Sequence, residues 1–164
     1  MAGAVRLGVP FQGKNGDWFV VAKSHAALVA GTPYLITFTY DSYVKDGTTY
    51  YQQDAITAAV DAVASIPRLI AWAQADEANT DVEVVLKCGG EMDVLCDGGT
   101  NDIAVGNFLK IIPGTSTDVL VYEGTTITAS SMAIALEAYA DATAALKKVF
   151  IIPFCATAGR VVNT

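Results

Sequence analysis

The stretch that most constrains this chain is residues 68–95, RLIAWAQADEANTDVEVVLKCGGEMDVL. Leu69, Ala71 and Ala73 fall on one face of an extended segment and Ile70, Trp72 and Gln74 on the other, so apolar groups occupy both faces. A strand of that kind is covered on both sides. Asp76, Glu77, Asn79, Thr80 and Asp81 follow, and their short polar side chains favour a turn. Val82, Val84, Leu86 and Cys88 then alternate with Glu83 and Lys87, the mark of a return strand. Gly89-Gly90 is expected to break it, with 91–95 resuming the strand. A chain centred on such a hairpin is committed to β structure.

A looser version of the hairpin returns at 133–152, AIALEAYADATAALKKVFII, where Ile134 aligns with Ile70, Leu136 with Trp72 and Asp141 with Glu77. Each hairpin has an upstream partner, AGTPYLI at 30–36 and VGNFLKI at 105–111. Two passes of glycine, short strand, insertion and hairpin form a weak internal repeat. The Ala-, Leu-, Glu- and Lys-rich segment 130–149 would also suit a helix. Its parallel with the first hairpin favours strand, turn, strand.

Elsewhere the pattern is short strands between turn signals. YLITFTY at 34–40 alternates strictly, and Asp46-Gly47, flanked by Tyr43-Val44 and Tyr50-Tyr51, signals a small type I′ hairpin. One helix is expected at 54–66, with Ile56, Ala59, Val60 and Val63 at helical spacing, Asp54 as N-cap and Pro67 as stop. Further strands are expected at 17–23, 103–112, 119–122 and 149–154, and polar turns at 97–102 and 113–118. The expected fold is all-β and mainly antiparallel, a compact barrel or sandwich of short strands with at most one short helix and extended termini. Residues 1–16 form an N-terminal arm and 156–164 a C-terminal tail around one β-rich domain at 17–155. The repeat would divide that domain into related units at 17–95 and 102–154.

Composition narrows the partners. Hydrophobic residues make up 52% of the 164 and charged residues 16%, an apolar excess suited to coverage by neighbouring subunits. The formal net charge of −7 opposes binding to a nucleic-acid backbone or an anionic membrane. The uncharged run at 24–40 is interrupted by Gly31-Thr32-Pro33 and has strand-like alternation, so a soluble protein is expected rather than a membrane span. No secretory signal pattern opens the sequence. Cys88, Cys96 and Cys155 lack C-x-x-C spacing and read as free thiols, with a Cys88–Cys96 bridge the weaker alternative.

Catalytic chemistry finds little support. His25 is the single histidine and reads as a loop or strand-edge residue, which leaves nothing for a Ser-His-Asp triad or a zinc site. The paired glycines lack a phosphate-binding frame. Asp93, Asp97 and Asp102 lack EF-hand spacing and read as an acidic loop. No catalytic residue, metal or cofactor is expected. The residues expected to make contacts are Tyr40, Tyr43, Tyr50 and Tyr51 around the Asp46-Gly47 turn, and Val5, Leu7, Val9, Phe11, Val161 and Val162 in the terminal arms. Tyrosine clusters favour contact surfaces, and extended arms can add strands to a neighbour's sheet.

Gly31 with its following strand, the run EVVLKCGGEMDV at 83–94, IAVGNFL at 103–109 and IALEA at 134–138 together resemble the small head decoration, or capsid cement, proteins of tailed bacteriophages. The resemblance spans about 20–152. Asn107 stands where the family usually has an acidic residue after the glycine, and Thr32-Pro33 occupies the matching place after Gly31. It implies a non-enzymatic virion protein, made in the host cytoplasm, that binds the outside of an icosahedral shell, often as a homotrimer. Its partners would be the major capsid protein and other copies of itself. A receptor- or glycan-binding domain of a phage fibre or tail is the alternative.

Overall fold

The computed structural model describes residues 7–59, 69–112 and 116–153. Among them the chain is all-β, with strands β1 (Phe11–Gln12), β2 (Trp18–Lys23), β3 (Pro33–Lys45), β4 (Thr48–Ala59), β5 (Leu69–Ala73), β6 (Glu83–Asp97), β7 (Phe108–Ile112), β8 (Ser116–Gly124), β9 (Ala133–Ala135) and β10 (Ala145–Ile151). All pairings are antiparallel except β2 with β4 and β6 with β8. No helix among the described residues is long and apolar enough to cross a membrane.

Pairing closes two rings. In the first, β2, β4, β3, β5 and β6 are neighbours in turn and β6 returns to β2. In the second, β6, β10, β9, β7 and β8 are neighbours and β8 returns to β6. Strand β6 belongs to both rings. Its first part, Glu83 to Gly89, pairs with β2, and its second part, Gly90 to Cys96, pairs with β10. The expected break at Gly89-Gly90 is therefore a crossing point, where one long strand passes between rings with Gly90 at φ 102°.

Each ring encloses its own core. Val20, Ala22, Leu28, Ile36, Ala55, Leu69, Ala71, Ala73, Leu86 and Cys88 fill the first. Val94, Cys96, Ile103, Leu109, Ile111, Leu120, Ala133, Ala135, Val149 and Ile151 fill the second, joined by Trp72 from β5. Strand β5 is thus covered on both faces, its alanines packing into one core and Ile70 and Trp72 against the other. The alternation in 69–74 says the same.

The same hydrogen-bond pattern is built twice. Leu28 and Glu77 exchange backbone bonds of 2.8 and 3.0 Å, and Ile103 and Tyr139 exchange bonds of 2.7 and 2.8 Å. Gly31 N donates to Ala73 O at 2.9 Å, and Gly106 N to Ala135 O at 2.8 Å. Gly31 and Gly106 have φ of 75° and 87°, the left-handed conformation that glycine adopts without a steric cost. Pro33 lies opposite Trp72 in register, as Phe108 lies opposite Ile134. Ile134 therefore corresponds to Trp72, two places from the alignment read off the sequence. The alanine pairs, Ala71 and Ala73 with Ala133 and Ala135, set the true register because only small side chains face inward there.

Several expectations need correction. The helix placed at 54–66 is β4 through Ala59, and the remainder lies outside the described residues. Ala55 and Thr57 are both buried, a period of two, and the register with Tyr34 to Phe38 outweighs helical spacing. Asp54 is no N-cap: its carboxylate accepts a 2.7 Å bond from Lys23. The strand expected at 103–112 begins only at Phe108, because Gly106 turns the chain after the Ile103 bridge. The turn expected at 113–118 gives way to β8 from Ser116, with 113–115 outside the described residues. Segment 130–149 is strand, turn, strand, as its parallel with the first hairpin suggests.

Candidate interaction surfaces

The Asp46-Gly47 turn joins β3 and β4 as a hairpin much longer than the small one expected, pairing from Tyr34–Ala59 out to Lys45–Thr48. Asp46 and Gly47 have φ of 51° and 75°, the pair of positive values that a type I′ turn requires. The inner end is held by β5, which pairs with Pro33 to Ile36, and by the bridge between Lys23 and Ile56. From Phe38 and Ala55 outward the two strands have only each other as strand partners among the described residues. They form a ribbon beyond the first ring. Tyr43 lies opposite Tyr50, Tyr51 opposite Ser42 and Tyr40 opposite Gln53, so the four tyrosines gather in its outer half. Val44 is 69% exposed and Phe38 is exposed near the base.

The N-terminal contact residues divide. Leu7 packs against the first core, and Gly8 N donates to Val21 O at 2.7 Å. Gly8 lies so close to the Phe38 ring and Ala55 that a Cβ there would collide with both. Phe11 pairs with Phe19 across β1 and β2, with ring centroids 5.9 Å apart. From Leu7 to Gln12 the chain therefore lies against its own first ring, and of the contact residues Leu7, Val9 and Phe11 only Val9 is exposed, at 49%. Val5, Val161 and Val162 lie outside the described residues.

The ionisable groups hold structure together. Lys87 is buried with its ammonium 2.8 Å from Asp17 Oδ2, 2.5 Å from Glu91 O and 5.7 Å from the centre of the Phe19 ring. This tie fastens β2 to β6 beside the crossing glycines. In the second ring, Glu123 accepts hydrogen bonds from Thr128, Ser130 and Ser131, closing the loop after β8. Partial burial works to raise its pKa, but the three hydroxyls outweigh it and hold the carboxyl below its ordinary value. Glu137 is held low chiefly by its hydrogen bond from Lys147, 2.7 Å away, and the same bond raises the lysine.

Cys88 and Cys96 are both buried, and burial pushes the Cys96 thiol up to about 12. His25 is exposed in the loop after β2. Asp97 accepts a bond from Gly99 N at 2.8 Å, stabilising its own turn. Among the described residues no group of three His, Cys, Asp or Glu side chains is placed to hold a metal.

One surface was not anticipated from the sequence. Register sets Phe108, Ile134 and Phe150 side by side across β7, β9 and β10 on the outside of the second ring. The three are far apart in the chain, and only the pairing of β9 between β7 and β10 unites them. Their common signal was the alternation in each segment, which places them opposite Leu109, Ala135 and Val149.

No family model matches the chain, and no curated protein matches it. Among solved structures, the N base of the head fiber gp8.5 in bacteriophage phi29 is similar, with 18% sequence identity and a TM-score of 0.44 over 81% of this chain and 92% of that one.

Proposed function

We propose that this chain is a non-enzymatic capsid decoration protein of a tailed bacteriophage. It binds the outer surface of the assembled icosahedral shell and stabilises contacts between subunits of the major capsid protein, acting as a homo-oligomer, most simply a trimer. The observation that carries this reading is the use made of the residues behind the family resemblance. Gly31, Gly89-Gly90, Gly106 and, from the IALEA run, Ala135 are positions on which the doubled ring turns. The motif is thus the folding frame of the chain, and the function assigned to it rests on the family resemblance. The apolar excess and acidic net charge suit a protein partly covered by subunits and otherwise facing solvent.

In this reading the tyrosine ribbon and the terminal segments reach the shell. The test is binding of the purified protein to shells that lack it, followed by thermal challenge. Saturable binding at a fixed number of copies per shell, with a raised temperature of shell disruption, is the expected result. No binding would end the proposal.

The projecting ribbon also favours a second reading, a receptor- or glycan-binding domain of a fibre or tail. A glycan array separates the two. Specific binding lost on Tyr43→Ala, Tyr50→Ala or Tyr51→Ala supports the second, and a blank array supports decoration.

A further inference from the structure

The two rings differ in what covers their outer walls. In the first ring, Pro33 and Leu35 of β3 and Ile70 and Trp72 of β5 point away from the first core. All but Ile70 are buried, and Ile70 and Trp72 pack against the second core. The first ring's outer wall is therefore an internal interface with the ring that follows. In the second ring the same wall is formed by β7, β9 and β10, with Phe108 in the place of Pro33 and Ile134 in the place of Trp72. Phe150 extends the row beside Ile134, and Leu136 and Leu146 lie to one side. Phe150, Leu136 and Leu146 are all exposed.

We infer that the outer wall of the second ring, centred on Phe108, Ile134 and Phe150, is where copies of this chain meet, each turning this wall toward the same wall of its neighbours. The wall is continuous in kind with the interface already built inside the chain, being the same element set at the same register. Its charge also fits a like partner. The chain as a whole carries −7, so most of its surface repels another copy. On and around this wall stand Glu91, Asp93, Glu123 and Glu137 with Lys110, Lys147 and Lys148; Lys148 lies opposite Asp93 in register, Lys147 pairs with Glu137, and Lys110 is a charge neighbour of Glu123. Three lysines offset all but one of the four carboxylates, leaving a nearly neutral apolar face on a chain that carries −7. Depletion of net charge around aromatic and aliphatic residues is the usual composition at the centre of a subunit interface.

This inference specifies the self-association in the decoration reading, and its test stands apart from shell binding. Sedimentation velocity of the full chain at about 10–100 µM is compared with Ile134→Glu and Phe150→Glu, both outward-facing, with circular dichroism to confirm folding. Oligomers are expected for the parent protein and monomers for both variants, a loss of at least tenfold in association. A Leu136→Cys substitution in a Cys155→Ser background is expected to give an intermolecular disulfide on mild oxidation, because Cys88 and Cys96 are buried. A monomeric parent chain, or oligomers unchanged in both folded variants, would overturn the inference. So would variants that keep their oligomeric state but no longer bind shells, since the wall would then belong to the capsid. Oligomers that dissociate in the variants yet never bind shells would uphold the wall and end the decoration reading.

Discussion

Lys87 shows how much one residue settles. It is 7% exposed and pairs with Asp17, the residue before β2, across 70 positions of sequence, so the ion pair reinforces the β2–β6 ladder next to the crossing point. Removing one partner of such a pair strands a charge away from water. Asp17→Asn is expected to cost about 3 kcal/mol in urea unfolding, and Lys87→Met, which keeps the apolar stem, about half as much. Glu123 gives a pH signature. Its folded pKa is depressed, so its contribution is present above the unfolded value of 4.5 and is lost as pH falls through the lower folded value. Glu123→Gln is expected to flatten the loss of stability below pH 4.5, read as a smaller drop in the unfolding midpoint between pH 5 and pH 3. The buried thiols predict a third result: in a Cys155→Ser background, iodoacetamide at pH 8 labels neither Cys88 nor Cys96 until the protein unfolds.

At the scale of the element, the paired glycines separate two costs that usually come together. Gly106 has φ of 87° with no atom within 4 Å of an added Cβ, whereas at Gly31 a Cβ would collide with Leu146 and crowd the backbone of Val94 and Leu95. Gly106→Ala is therefore expected to cost about 1 kcal/mol of backbone strain, and Gly31→Ala clearly more, by thermal unfolding. The hairpin at 69–88, the Asp46-Gly47 turn and the strand character of 130–149 were all legible in the sequence, because alternation and turn chemistry are local. Strand β4 was misread because Ile56, Ala59 and Val60 happen to satisfy a helical spacing as well, and the pairing that decides against it comes from residues some twenty positions away. The role of Gly89-Gly90 was hidden for a related reason. A glycine pair ends many strands, and only the partners on either side show that this one continues. The tyrosine ribbon was visible in sequence as a cluster, while the Phe108, Ile134 and Phe150 row exists only once three distant segments pair.

For the whole molecule, two rings that share one strand have a simple mechanical consequence. Trp72 is 2% exposed and stands between the cores, so loosening it loosens both. Trp72→Ala is expected to cost about 3–5 kcal/mol and to leave unfolding cooperative, with a single transition by fluorescence and circular dichroism. In the proposed decoration role, the doubled body would add to a lattice already formed and brace its joints. The decisive measurement is electron microscopy of shells lacking this protein before and after it is added. Decoration predicts new density at symmetry-related positions on the outer surface, bridging neighbouring capsid subunits. Shells that look the same after saturating addition would contradict it.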